Sequence, residues 1–120
     1  MMAGVRGVFT MEMEDLETYR PGDSENFRVD VRVVVGAKGK KGADCFDLHV
    51  FTPKWLSERC EKEGFVNGRH SFIVNYYDAK FIKQLITRFI EKCDGPSWQE
   101  LAQKVGRLGR WEFEDFTPKP

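Results

Sequence analysis

The side chains with the most reactive chemistry are few: His49, His70, Cys45, Cys60 and Cys93. A cysteine nucleophile needs a base within hydrogen-bond reach and a third group to orient that base. Cys45 or Cys60 could be paired with His70 on paper. His49, however, falls on an alternating strand face and His70 at a strand start, and no orienting residue accompanies either. Zinc sites use short ligand spacings such as C-x-x-C or H-x-x-x-H, and none occurs. The expectation is a non-enzymatic chain with no metal and no cofactor, whose three scattered cysteines are buried thiols.

Phosphate chemistry is the next candidate. The stretch "GAKGKKG" has three glycines and carries Lys38, Lys40 and Lys41. A phosphate loop requires four residues between its first Gly and the Gly-Lys pair, then Ser or Thr, and leads into a helix. Here Lys41 follows Gly39-Lys40, and strands flank the loop, so a hairpin tip is expected. A second reading gives this tip a binding role: a small nucleic-acid module using the lysines together with Phe27, Phe46, Phe72, Tyr76 and Tyr77 as stacking platforms. It requires an open aromatic face, and the helices below must dock somewhere.

Clustered carboxylates remain. The segment "WEFEDF", residues 111–116, combines Trp111 and Phe113 with Glu112, Glu114 and Asp115. As a strand it would turn Trp111, Phe113 and Asp115 to one side and Glu112, Glu114 and Phe116 to the other. Trp111 and Phe113 would anchor it, and the acids would offer charge to a basic partner. Asp23 and Glu25, in the polar stretch "EDLETYRPGDSEN", are a second acidic group of this kind.

The elements that must position these groups follow from periodicity. Residues 5–13 read as a first strand and the acidic stretch after them as a loop. In "FRVDVRVVVG", Phe27, Val29, Val31, Val33 and Val35 alternate with Arg28, Asp30 and Arg32. "ADCFDLHVFT" turns Phe46, Leu48 and Val50 inward. Thr52-Pro53 opens a helix containing Trp55, Leu56 and Cys60 that Gly64 closes. "RHSFIVNYY" is apolar on both sides at its centre and predicts a central strand. Asp78 caps a helix with Phe81, Ile82, Leu85, Ile86, Phe89 and Ile90 on one stripe. Ser97 and Glu100 form a capping box for a last helix, with Gly109 as its stop. The order predicts an α+β fold: a mostly antiparallel sheet of about four to five strands with two to three helices packed on it. Residues 1–120 would form one domain, ending in a tail at 117–120.

Composition excludes several classes. Nineteen basic and nineteen acidic residues give zero net charge, so nothing favours nucleic acid or an anionic membrane globally. No apolar run approaches a membrane span, and the start lacks a sustained apolar stretch after Arg6. A cytoplasmic chain with no membrane partner is expected.

Taken in order, "FRVDVRVVVG", "GADCFDLHVFTPKWL", "GRHSFIVNYYD" and "SWQELAQKVGRLGRWEFEDF" resemble the immunity protein 8 family of bacterial polymorphic toxin systems. The likeness runs from Phe27 to Phe116, where the family often has Tyr in place of Phe116. It implies a cytoplasmic protein that binds and neutralises a cognate toxin domain, protecting the producing cell. It implies no catalytic residue. Glu112, Glu114 and Asp115, with Asp23 and Glu25, are the toxin contacts expected.

Overall fold

Alternation at period two, three helix signals and a glycine-rich tip assemble into a five-stranded mixed sheet carrying three helices. The computed structural model describes residues 1–115. The elements are β1 (Ala3–Thr10), β2 (Arg28–Ala37), β3 (Asp44–Phe51), α1 (Pro53–Glu63), β4 (Ser71–Ile73), α2 (Ala79–Ile90), α3 (Trp98–Val105) and β5 (Arg110–Trp111). β1, β2 and β3 form an antiparallel meander. The far edge of β3 is shared: β4 pairs with His49–Phe51 in parallel, and β5 with Phe46 and Asp47 antiparallel.

The cross-strand register explains which face is buried. Val29, Val31 and Val33 stand opposite Val50, Leu48 and Phe46, and all six are buried. Opposed residues share a face of an antiparallel pair, so one side of the sheet is wholly apolar. Onto it pack Ile82, Ile86 and Ile90 of α2 and Leu101, Ala102 and Val105 of α3, each with no exposed area. α1 lies on the other side, across one end. Its Trp55 ring sits 5.0 Å from the Phe51 ring and under the guanidiniums of Arg28 and Arg59.

The three N-cap side chains act as the sequence requires, while of the capping box only the Ser97 half is seen among the described residues. Thr52 Oγ1, Asp78 Oδ1 and Ser97 Oγ accept hydrogen bonds from Trp55, Phe81 and Glu100 amides, meeting donors that a helix start leaves open. Gly64 closes α1 with φ +89°, a left-handed conformation that glycine adopts without a Cβ clash.

Several expectations need correction. The first strand starts two residues earlier than expected and ends at Thr10, because Met13 turns to φ +64°. "RHSFIVNYY" supplies only a three-residue edge strand, and Ile73 is 55% exposed. Its both-faced apolarity reflects Phe72 turned inward beneath Phe89 and Ile73 turned out, not a central position. In α2 the apolar stripe is wider than the buried one, since Phe81 and Phe89 remain exposed. α1 has no fully buried residue. α3 ends at Val105 with Gly106 as cap, short of Gly109.

β1 is the other edge of the sheet, and its backbone is occupied at both ends. The Ala3 amide donates to the Cys93 carbonyl and the Val5 amide to Glu91 Oε2 at 2.9 Å. Phe9 bridges to Asp15 at the opposite end. A bulge at Arg6 breaks the register between Val5 and Gly7, and the extruded guanidinium donates to the Ala37 and Lys40 carbonyls. Arg6 thereby ties down the lysine-rich tip, while Lys38 pairs with Glu91.

Candidate functional site

The reactive side chains do not converge. His70 adopts φ +60° and donates through Nε2 to the Gly106 carbonyl at 2.8 Å, which fixes its tautomer. His49 faces Asp30, with Nδ1 2.7 Å from Oδ1. Burial pushes the Cys45 thiol above its ordinary range, and the charge of Glu112 adds to this, so the thiol stays protonated. Among the described residues no group of three His, Cys, Asp or Glu could hold a metal.

The outward side of the sheet is a ladder of paired charges. Arg32 grips Asp47 with two bonds of 3.0 and 3.1 Å, directly across the strands. Arg28 reaches Asp30, and Asp30 meets His49. Burial raises the Asp30 carboxyl, but bonds from His49 and Arg28 outweigh it and hold the group below the usual carboxylate range. The aromatics proposed to stack on bases are not on this side. Phe27 and Phe46 are buried in the core, and Phe72 and Tyr77 pack against it. Of these five only Tyr76 is exposed, so they do not form a shared stacking face.

"WEFEDF" does not form the strand that its alternation predicts. Pairing covers Arg110 and Trp111 alone, and residues 112–115 turn, with Asp115 at φ +60°. Phe116 and the 117–120 tail lie outside the described residues. Trp111 does anchor: it stacks on Phe46 at 6.4 Å, and its indole donates to Asp44 Oδ2 at 3.0 Å. Trp98 of α3 donates to the same oxygen at 2.8 Å. Phe113, expected inside, is 42% exposed and meets Trp111 edge-on. The acids of this turn stand among cations. Glu114 pairs with Arg69 at 3.1 Å, Glu112 lies within the field of Arg32, and Arg110 is adjacent.

Asp23 and Glu25 lie elsewhere. The Glu112 amide bonds to Cys45, opposite Val34, whereas Asp23 and Glu25 precede Phe27. Seven residues of extended chain, about 23 Å, separate those two ends of β2. The structure therefore does not bring the two acidic groups together. Asp23 and Glu25 belong to the β1–β2 connection, residues 11–26, which holds six carboxylates against one guanidinium, a local charge of −5. This loop is firmly seated. The Tyr77 hydroxyl donates to the Leu16 carbonyl at 2.6 Å, and the Tyr77 amide to Ser24 at 2.7 Å. Lys83 of α2 reaches Asp15 and Glu17, each at 3.3 Å. Counting charge over this segment alone would have separated it from the balanced whole.

The family model of immunity protein 8 (Imm8) matches residues 3–116, nearly the whole chain. The chain belongs to the immunity protein 8 family. No curated protein and no solved structure matches it. Family membership gives the chain the general role of an immunity protein, with another protein as partner. Among the described residues no helix is long and apolar enough to cross a membrane.

Proposed function

We propose that this immunity protein acts in the cytoplasm of the producing cell, binding a cognate toxin domain of a polymorphic toxin system and occluding its active site or an adjacent exosite. The family match over residues 3–116 carries this reading. The surface supports it physically. The acidic loop is held in place by Tyr77 and Lys83 before any partner arrives, so little ordering entropy is lost on association.

The two acidic groups take different parts. Glu114 is paired with Arg69 and Glu112 adjoins Arg110, which offsets part of the field of this turn, while Arg32 is already bonded to Asp47. Asp23 and Glu25 sit in a loop of charge −5 and attract a cationic toxin face over a longer range. The test is association with the toxin domain encoded in the adjacent reading frame, followed by stopped flow at low and high salt. Asp23→Lys with Glu25→Lys should slow association roughly tenfold at low salt and flatten its salt dependence, because rim charges act mainly on encounter. Glu112→Lys with Glu114→Lys should slow it by no more than about threefold. Equal, unslowed association in both variants would remove the acids from the mechanism. Failure of the unaltered protein to bind or protect would remove the immunity reading itself.

A further inference from the structure

Apolar area on a small protein is informative where it is large, exposed and unshared. Near the start of α2, Tyr76 is 51% exposed and Phe81 49%. Their rings line a hollow of about 240 Å³ with Asn75 and Asp78. Tyr76 also forms one wall of a second hollow, about 410 Å³, lined by Tyr77 and Pro21 and by charges of both signs, Glu17 and Asp78 with Arg20 and Lys80. Tyr76 is thus a ridge between two depressions. The acidic β1–β2 loop borders the larger one through Glu17, Pro21 and Ser24, with Asp23 and Glu25 on either side of Ser24.

Neither folding nor helix formation requires this exposure. The core face of α2 is already filled by Ile82, Ile86 and Ile90, and Phe81 is one residue outside it. The Asp78 side chain caps the helix through Oδ1, and Tyr77 and Lys83 fasten the loop without help from Tyr76 or Phe81. Tyr76 and Phe81 are surplus to the architecture, yet the elements beneath them are rigid. Aromatic anchors on rigid supports, next to hollows and ringed by charge, are the physical make-up of an interface hot spot.

We infer that Tyr76 and Phe81 form the apolar anchor of the toxin interface, and that the seated acidic loop supplies its charged border. This rests on the immunity reading and specifies its surface. The occupant is a cationic face of the toxin domain that presents a guanidinium to the small hollow. Two aromatic rings, the Asn75 amide and the Asp78 carboxylate are the groups that complement a planar cation. The neighbouring loop, −5 by itself and −4 once Lys83 is counted with it, favours a basic partner over an acidic one.

The experiment is calorimetric titration of the adjacent-frame toxin domain into three variants: Tyr76→Ala with Phe81→Ala, Tyr76→Phe, and Phe113→Ala. Both anchors are half exposed, so thermal midpoints should stay within a few degrees of the unaltered protein. The double variant should lose at least about 30-fold in affinity. Tyr76→Phe keeps the ring face and should stay within about threefold. Phe113→Ala, at the other end of the sheet, should change affinity by less than about threefold. Exchange footprinting of the complex should show new amide protection in residues 74–81. A double variant that folds and binds like the unaltered protein would overturn the inference while leaving the immunity reading intact. Loss of binding in Phe113→Ala with the double variant unaffected would overturn it in favour of the C-terminal turn. An unaltered protein that neither binds nor protects would defeat the immunity reading, and this surface with it.

Discussion

Asp44 holds three elements together with one oxygen. It begins β3, and its Oδ2 accepts from the indoles of Trp98 on α3 and Trp111 on β5. Asp44→Ala removes both bonds and leaves two half-buried N–H groups with only water to replace them. A net hydrogen bond to a charged group contributes about 1.5–3 kcal/mol. The two share one acceptor and their donors retain some solvent access, so the combined loss should be about 2–4 kcal/mol. Unfolding entropy near 2.1 cal/mol/K per residue makes each kcal/mol worth about 4 °C for a chain this long. Tm should therefore fall by about 8–16 °C. Asp44→Asn keeps a neutral acceptor of roughly half the strength and should lose about half as much. Urea denaturation followed by tryptophan fluorescence suits the question, because two of the three tryptophans are the donors. If Asp44→Ala shifted Tm by less than about 2 °C, the carboxylate would not be the tie, and strand pairing and ring contacts would hold Trp111 without it.

Two further outcomes test how the acidic loop and the hairpin tip are held. Burial, with Tyr19 and nearby acids adding to it, pushes the Tyr77 phenol up from 10 to about 12. The folded state therefore keeps the proton that the unfolded chain releases first. Stability is fully present below pH 10 and is lost as pH rises through 12, by about 1–2 kcal/mol after allowance for solvent screening. Tyr77→Phe should be about 1 kcal/mol less stable at neutral pH and lack that alkaline decline relative to the unaltered protein; parallel declines in pH-dependent unfolding would refute the assignment. At the tip, a Cβ on Gly36 would come within 2.5 Å of both Arg6 Nη2 and the Gly42 carbonyl. Gly36→Ala should cost about 1–3 kcal/mol in chemical denaturation, and adding Arg6→Ala should not restore it, since the backbone clash persists.

The alternation in β2 and β3 was legible because one face is covered along its whole length. Phe27, Val29, Val31, Val33, Val35, Phe46, Leu48 and Val50 are all buried as the pattern requires. Thr52, Asp78 and Ser97 were legible as caps because capping depends on neighbours three residues away. "WEFEDF" misled for a physical reason. Alternation prescribes sides only where a partner strand exists, and β3 offers β5 just Phe46 and Asp47 before β4 takes over its edge at His49. "RHSFIVNYY" misled similarly: apolar residues on both sides suit a central strand, but also an edge strand with an exposed Ile73. The acids of 11–26 and 112–115 read alike in sequence. What distinguishes them is the balance: the three acids of 112–115 have Arg69 and Arg110 beside them, whereas the six of 11–26 share Arg20 and Lys83, and chain distance conceals Arg69 and Lys83. The exposure of Tyr76 and Phe81 is a tertiary fact: their spacing fits a core stripe as well as a surface ridge.

The occupied edge of β1 also limits how this molecule can meet others. An open strand edge invites any extended chain to add itself through backbone bonds, regardless of sequence. Here Cys93, Glu91 and Asp15 take the places such a chain would need. At the opposite edge, β4 has only three residues to offer. Copies accumulating in one cell thus have little template for fibrous self-association. Recognition of a partner protein would then rest on side chains rather than on backbone pairing at the sheet edges.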